Sequence, residues 1–268
     1  MTMETLQLRD ISETALLPLW ARAMETLRPD AIIHDDKALE MYQRLNYDFK
    51  RFSNAWLSQL AIAIRTDLID KLVTDFITVH PHAVIINLGA GFDSRYLRVD
   101  NGQIQWFDLD LPNVIAARRL FFSDSDRYHM LEQSLFDVSW LEHAADESDN
   151  CLILAEGVLM YFTEQRIKQF FNDLAERIPH ARMLLEMLPH GALGQAHLHE
   201  AIGWMNAAFQ WTLHNIHRLE SWNSHIKVRQ EWCILDYHWE RWGALSLLAW
   251  SPWHRYLFGE KLALLEFD

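Results

Sequence analysis

The residues that could do chemistry gather around one short stretch. Val84 to Arg95 reads VIINLGAGFDSR, an apolar run that breaks into Gly89-Ala90-Gly91 and then a carboxylate, Asp93. Two glycines two apart after a strand-like run let backbone come close to a ligand. Asp108 and Asp110 follow the turn by about 20 positions, the spacing at which a carboxylate meets a ribose diol. Taken as facing opposite sides of their strand, only one of them holds the ribose. Glu156 ends an otherwise apolar run, NCLILAEG, where a carboxylate needs a cation or a donor to be tolerated.

What the turn lacks points to the ligand. A dinucleotide site wants a third glycine for close packing against a pyrophosphate. That position is Ser94, and Asp93 beside it would repel phosphate. The same carboxylate would not repel S-adenosylmethionine, which has no phosphate and carries a sulfonium and an ammonium. The expected cofactor is therefore S-adenosyl-L-methionine, with NAD as the competing reading.

The elements that must position these residues are legible from periodicity. Residues 83–89, 104–110, 127–133, 150–157 and 181–188 read as strands, alternating with helical stretches at PNVIAARRLFF and TEQRIKQFFNDLAERI. Pro112 suits the first turn of one helix, and Thr163 is placed to cap the other. Strand alternating with helix implies a mostly parallel, seven-stranded sheet with helices on both faces. The expected architecture is α/β and Rossmann-like. Residues 1–80 are expected as a helical N-terminal cap. Its clearest piece carries Trp56, Leu60, Ile64, Leu68, Leu72 and Phe76 as one apolar face. Residues 81–190 form the cofactor-binding core. Residues 191–268 hold acceptor-side helices, including one expected over 192–220, and strands near 226–235 and 261–268. All belong to one domain.

Composition excludes several classes of partner. The net charge of −13 argues against nucleic acid and against anionic membranes. No apolar run approaches the roughly 20 residues that span a bilayer. No basic, apolar leader opens the chain, and Cys151 and Cys233 read as a reduced, buried pair, so a cytoplasmic location is expected. His197 and His199, two apart on a helix, would diverge, and no metal is expected. Eight of the 12 tryptophans lie between Trp204 and Trp253, and some are expected to wall an acceptor pocket.

INLGAGFDSRYLR, WFDLDLPNVIAARR and AEGVLMYF, in that order, with IRTDLID upstream, resemble the leucine carboxyl methyltransferase family. That family includes the enzyme acting on a phosphatase C-terminal leucine and bacterial polyketide carboxyl O-methyltransferases of the tetracenomycin type. The resemblance covers residues 16–190 well and the remainder loosely. It implies that Arg65 binds the cofactor's carboxylate, Gly89 with Gly91 forms the cofactor turn, and Asp110, neighboured by Asp108, takes the ribose. It also implies that Ser134 and Leu135 hold the adenine, although Ser134 departs from the family's usual Asp. Glu156 matches the glutamate after the fourth strand, and Arg22 the N-terminal basic residue. Asn87 stands where many methyltransferases carry an acid.

The resemblance implies O-methylation, with the carboxylate of a small molecule as acceptor. A carboxylate needs no general base, whereas a phenol or alcohol would want one; Tyr161 and His190 are the acceptor-side candidates. Competing readings are a protein C-terminal carboxyl methyltransferase, an NAD-dependent oxidoreductase and a nucleotide-binding protein without catalysis.

Overall fold

The computed structural model describes residues 4, 8, 10–143, 150–194, 203, 205 and 207–268. Five short apolar runs form parallel strands: β1 (Val84–Leu88), β2 (Gln105–Asp110), β3 (Tyr128–Glu132), β4 (Cys151–Ala155) and β5 (Arg182–Met187). With β6 (Ile226–Cys233) and β7 (Lys261–Phe267) they make one seven-stranded sheet, ordered β3-β2-β1-β4-β5-β7-β6. Only β7 runs against its neighbours. All five residues of β1 and all five of β4 are buried, as central strands covered on both faces must be. The strand order reverses between β1 and β4, and their carboxyl ends open the crevice where such sheets bind ligands.

The N-terminal region folds as α1 (Leu16–Thr26), α2 (Asp36–Arg44) and α3 (Trp56–Val79), joined by short 3-10 turns and loops. Asp35 caps α2 by accepting from the Ala38 amide at 2.9 Å. Pro81 lies just past α3, which ends at Val79. The single apolar face expected for α3 is too narrow. Trp56 is 53 % exposed, while Ile62, Ile69, Val73 and Ile77 are buried with the expected Leu68 and Phe76. The helix is wedged between two partners. Leu60 and Ile64 meet Cys233, Ile234 and Trp242 from the C-terminal segment, and the other buried residues join the main core.

Along the core, α4 (Arg95–Val99), α5 (Pro112–Arg118) and α6 (Glu164–Arg177) link the strands. Thr163 stands at the start of α6, but its side chain makes no capping hydrogen bond. The helix expected over 192–220 is absent from the described part of that range. Residues 195–202, which include His197 and His199, lie outside the described residues. From 207 onward the chain runs without regular structure to a 3-10 turn at Ile216–Ser221. Phe209, Trp211 and Leu213 are buried at a period of two, not four. The amides of Gln210 and Trp211 both donate to the Met160 carbonyl, so this segment satisfies its backbone on a neighbouring loop.

The Trp-rich segment forms α7 (Trp239–Trp242), a 3-10 stretch (Gly243–Trp250) and α8 (Pro252–Phe258). Trp239, Trp250 and Trp253 are exposed, and buried Trp211 meets half-buried Trp222 at a tilt beside the sheet core. Among the described residues no helix is long and apolar enough to cross a membrane.

The two-sided burial of α3 predicts unequal truncations. Ile64→Ala is expected to cost about 2–5 kcal/mol in urea unfolding. Trp56→Ala should stay within about 0.5 kcal/mol of wild type. A large loss at Trp56 would restore the one-face reading.

Candidate active site

The crevice at the strand-order reversal holds a cavity of about 740 Å³, within the roughly 300–1,000 Å³ of small-molecule sites. One wall carries Arg65, Gly89, Gly91, Asp110 and Glu156, which the sequence brings from four separate stretches. The other is apolar and includes Leu57, Met160, Phe209, Leu235, Trp242 and Phe258. Of the clustered tryptophans among the described residues, Trp242 lines the cavity.

The glycine turn is held in a left-handed conformation, with φ of 63° at Gly89 and 49° at Gly91. A Cβ on Gly89 would stand 2.6 Å from the Val158 side chain, so that position has neither the conformation nor the room for another residue. Several polar groups of the turn are already bonded within the protein. Arg118 Nη1 donates to the carbonyls of Gly91 and Asp93 at 2.8 and 2.9 Å, and the Gly91 amide donates to Asp110 Oδ2 at 2.8 Å. A phosphate cradle presents free backbone N–H groups. This turn instead commits the Gly91 N–H to Asp110 and sets Asp93 beside it.

Asp108 and Asp110 lie two apart on β2 and therefore share a face, contrary to the expectation of opposite faces. Depth separates them. Asp110 ends the strand and lines the cavity, and burial pushes its carboxyl above the usual range. Asp108 is 1 % exposed. It accepts from Tyr128 Oη at 2.6 Å and from Asn87 Nδ2 and Trp106 Nε1, each at 2.9 Å, and pairs with Arg118. It is a buried structural anion, and Asp110 is the one of the two that faces the cavity. The same contacts account for Asn87. Its Nδ2 donates both to Asp108 and, at 3.2 Å, to Asp93 Oδ2. An acid there would crowd three carboxylates together.

Arg65 reaches the cavity from α3. Its Nε donates to Glu156 at 2.8 Å, and its Nη1 to Glu186 at 2.8 Å and Glu260 at 3.1 Å. Glu156 also accepts from Arg95 Nη2 at 2.7 Å. From Arg95 the ion pairs run on through Asp70 and Arg98 to Asp35 and Arg22. Arg22 Nη2 donates to the Phe92 carbonyl at 2.7 Å, tying α1 to the glycine turn. Despite burial, the flanking guanidiniums of Arg95 and Arg65 hold the Glu156 carboxyl below its usual range. Glu186 behaves oppositely: burial, with Glu260 and Glu156 nearby, outweighs Arg65 and pushes it up to about 8.

Besides Asp108, three expected site residues lie off the cavity wall. Ser134 turns its hydroxyl to the Phe136 amide, and Leu135 is buried with its carbonyl bonded to Trp140 Nε1. Both sit past the end of β3, one strand beyond Asp110. His190 is exposed and stacks on Tyr256 at 5.0 Å, while its neighbour Pro189 faces the cavity. Tyr161 does line the cavity. Burial pushes its phenol up to about 12, which makes it a hydrogen-bond donor and not a base at neutral pH. Sequence reasoning missed Arg95, Arg118, Glu186 and Glu260. The available signal was a charged residue inside an apolar run, as in ARMLLEML for Glu186.

The family profile of the leucine carboxyl methyltransferases matches residues 15–175. The chain belongs to the leucine carboxyl methyltransferase family. It is similar to the tetracenomycin polyketide synthesis O-methyltransferase TcmP of Streptomyces glaucescens, 29 % identical over 87 % of this chain and 86 % of that one. It is also similar to the S-adenosyl-L-methionine-dependent methyltransferase dpfgK of Gibberella zeae, 28 % identical over 60 % of this chain and 61 % of the relative. Among solved structures, a DUF574 family protein from Streptomyces avermitilis matches with a TM-score of 0.56 at 9 % identity, covering 92 % of this chain and 97 % of its own. Magnesium protoporphyrin IX methyltransferase from Synechocystis, solved with bound S-adenosylhomocysteine, matches with a TM-score of 0.50 at 11 % identity, covering 87 % and 94 %. These two speak to the fold, which is that of class I methyltransferases. Membership in the leucine carboxyl methyltransferase family makes the chain an O-methyltransferase that uses S-adenosylmethionine.

The role of Asn87 is testable. Asn87→Asp should lose about 1–3 kcal/mol of stability near neutral pH, from two lost donated bonds and a third carboxylate. That added acid would have a raised pKa, so the native state would bind its proton more readily than the unfolded chain. Part of the loss should therefore return at mildly acidic pH. Urea unfolding at two pH values measures it, and a wild-type midpoint at neutral pH would contradict the assigned role.

Proposed function

We propose that this leucine carboxyl methyltransferase family member methylates an oxygen of a small, largely apolar, polyketide-like molecule in the cytoplasm. The observation that carries the reading is one cavity joining the wall of Arg65, Gly89 and Asp110 to an apolar chamber. The likeness to TcmP supports the substrate class. The free, buried Cys151 and Cys233 support the compartment.

The residues present fit the cofactor. S-adenosylmethionine, when bound, supplies a methyl group made electrophilic by a sulfonium. Arg65 would hold its carboxylate, Asp110 its ribose diol, and the bare backbone of Gly89 and Gly91 would let it approach the sheet. Glu156 would set a negative charge beside the cation. Arg22 acts through its bonds to Asp35 and the turn carbonyl at Phe92, holding α1 against the site. The apolar chamber would shed water around the reacting groups, which is much of what methyl transfer requires.

The acceptor oxygen is a carboxylate or a hydroxyl. The family resemblance implies the first, which is already anionic at neutral pH. One observation would favour the second: the cavity lining is rich in carboxylates.

Calorimetry tests the cofactor assignment. S-adenosylhomocysteine is expected to bind at micromolar concentration and NAD not at all. Asp110→Ala should weaken S-adenosylhomocysteine at least tenfold, from charged hydrogen bonds of about 1.5–3 kcal/mol. Unchanged affinity in that variant would remove Asp110 from the site. NAD binding in place of S-adenosylhomocysteine would sink the proposal.

A further inference from the structure

Among the described residues, the carboxylates lining the cavity are Asp93, Asp110, Glu156, Glu186 and Glu260. All but the last have a donor on each oxygen. Asp93 accepts from the Arg95 amide and Arg95 Nη1, and Asp110 from the amides of Leu111 and Gly91. Glu156 accepts from Arg65 Nε and Arg95 Nη2, and Glu186 from Arg65 Nη1 and the Gly157 amide. Glu260 differs. Its Oε1 accepts from Arg65 Nη1 at 3.1 Å, but no donor among the described residues reaches its Oε2. Glu260 is 7 % exposed, and this oxygen is not sealed off from the cavity. Its backbone is fixed, because the Ile234 amide donates to the Glu260 carbonyl at 3.1 Å.

Arg65 has the complementary opening. It commits Nε and Nη1 to these acids, and no acceptor among the described residues meets its Nη2. A free donor and a free carboxylate oxygen therefore belong to one bonded pair, Arg65 and Glu260. A ligand that satisfies both needs an anion and a cation a few bonds apart. The α-amino acid end of S-adenosylmethionine has that form. Charge favours the same fit. Arg22, Arg65, Arg95 and Arg98 are bonded in one chain to Asp35, Asp70, Asp93, Glu156, Glu186 and Glu260, four guanidiniums to six carboxylates. The sulfonium and ammonium of the cofactor outweigh its one carboxylate.

We propose that Glu260, at the entry to β7, is a cofactor-binding residue whose Oε2 receives the α-ammonium while Arg65 Nη2 takes the carboxylate. This rests on the reading of the cavity as an S-adenosylmethionine site. Glu156, with both oxygens on guanidiniums, is then the brace between Arg65 and Arg95, and its charge acts on the cation from one step back. The charged and titratable groups facing Glu260 and its neighbour Glu186 are Arg65 from α3, Glu156 after β4 and Tyr161 beyond it. Burial raises both carboxyls, Glu186 to about 8, so the pair can hold a proton until the ammonium takes its place.

Calorimetry on the full chain tests this with two probes, S-adenosylhomocysteine and its analogue carrying hydrogen in place of the α-amine. Wild type should bind S-adenosylhomocysteine at least ~10-fold more tightly than the analogue, the worth of a charge-assisted hydrogen bond. Glu260→Gln should weaken S-adenosylhomocysteine at least ~10-fold and leave the analogue within ~2-fold, because only the first ligand has the group that Glu260 meets. A merely structural role would weaken both alike. Glutamine keeps an acceptor oxygen for Arg65, so the fold should survive. Glu260→Asp keeps the charge but draws it back by one methylene; it should shrink the preference for the amine, and it carries the test if the glutamine variant does not fold. Equal binding of the two probes by wild type, equal loss of both in Glu260→Gln, or an unchanged preference in either variant would each overturn the proposal. Failure of wild type to bind S-adenosylhomocysteine would instead overturn the cofactor reading beneath it.

Discussion

Glu156 sits between two guanidiniums, Arg65 at 2.8 Å and Arg95 at 2.7 Å, and the rest of the site hangs on that sharing. Through Arg65 it reaches β5 and the start of β7; through Arg95 it reaches the turn after β1 and, by Asp70 and Arg98, the N-terminal cap. Burying so many charges costs several kcal/mol per ion before pairing returns any of it. Such a network is weak evidence for stability and better understood as register. It holds the cap, the turn and three strand ends in one arrangement around a cavity.

The glycine turn shows how one sequence pattern serves two chemistries. In a phosphate cradle, turn amides point at the ligand and the pocket is positive. Here Asp110 takes the Gly91 amide and Arg118 gathers the turn's carbonyls from behind. Arg118 is in turn fixed by Asp108, and Asn87 bridges Asp108 to Asp93. The turn is thus rigid before any ligand arrives, and the face it presents is negative. Asn87 matters because it is neutral and donates; among buried carboxylates, a donor without charge satisfies two of them at no Coulombic cost.

Much of the architecture was legible because the burial period of each element is local. Strands buried on both faces read as continuous apolar runs, and the switch to helical spacing marked the crossovers after β2 and β4. The segment after 190 failed for the same reason. Its apolar residues at 209, 211 and 213 alternate, and what stabilises them is a carbonyl at Met160 and the far side of the sheet. Neither can be seen from neighbouring residues. The tryptophan cluster misled in a related way, since composition does not say which side of a helix faces a cavity.

By itself the sequence determined the sheet, the glycine turn, the preference for a sulfonium cofactor over a pyrophosphate and the family. Each of these depends on residue type and spacing within a few tens of positions. Only the tertiary structure decided which acid faces the cavity. Asp108 and Asp110 have the same side-chain type and the same face, but one ends its strand at the cavity and the other lies a pleat deeper against Arg118. It also decided that Arg65 is shared by three carboxylates drawn from positions 156, 186 and 260, because electrostatic environment is a sum over space and not along the chain.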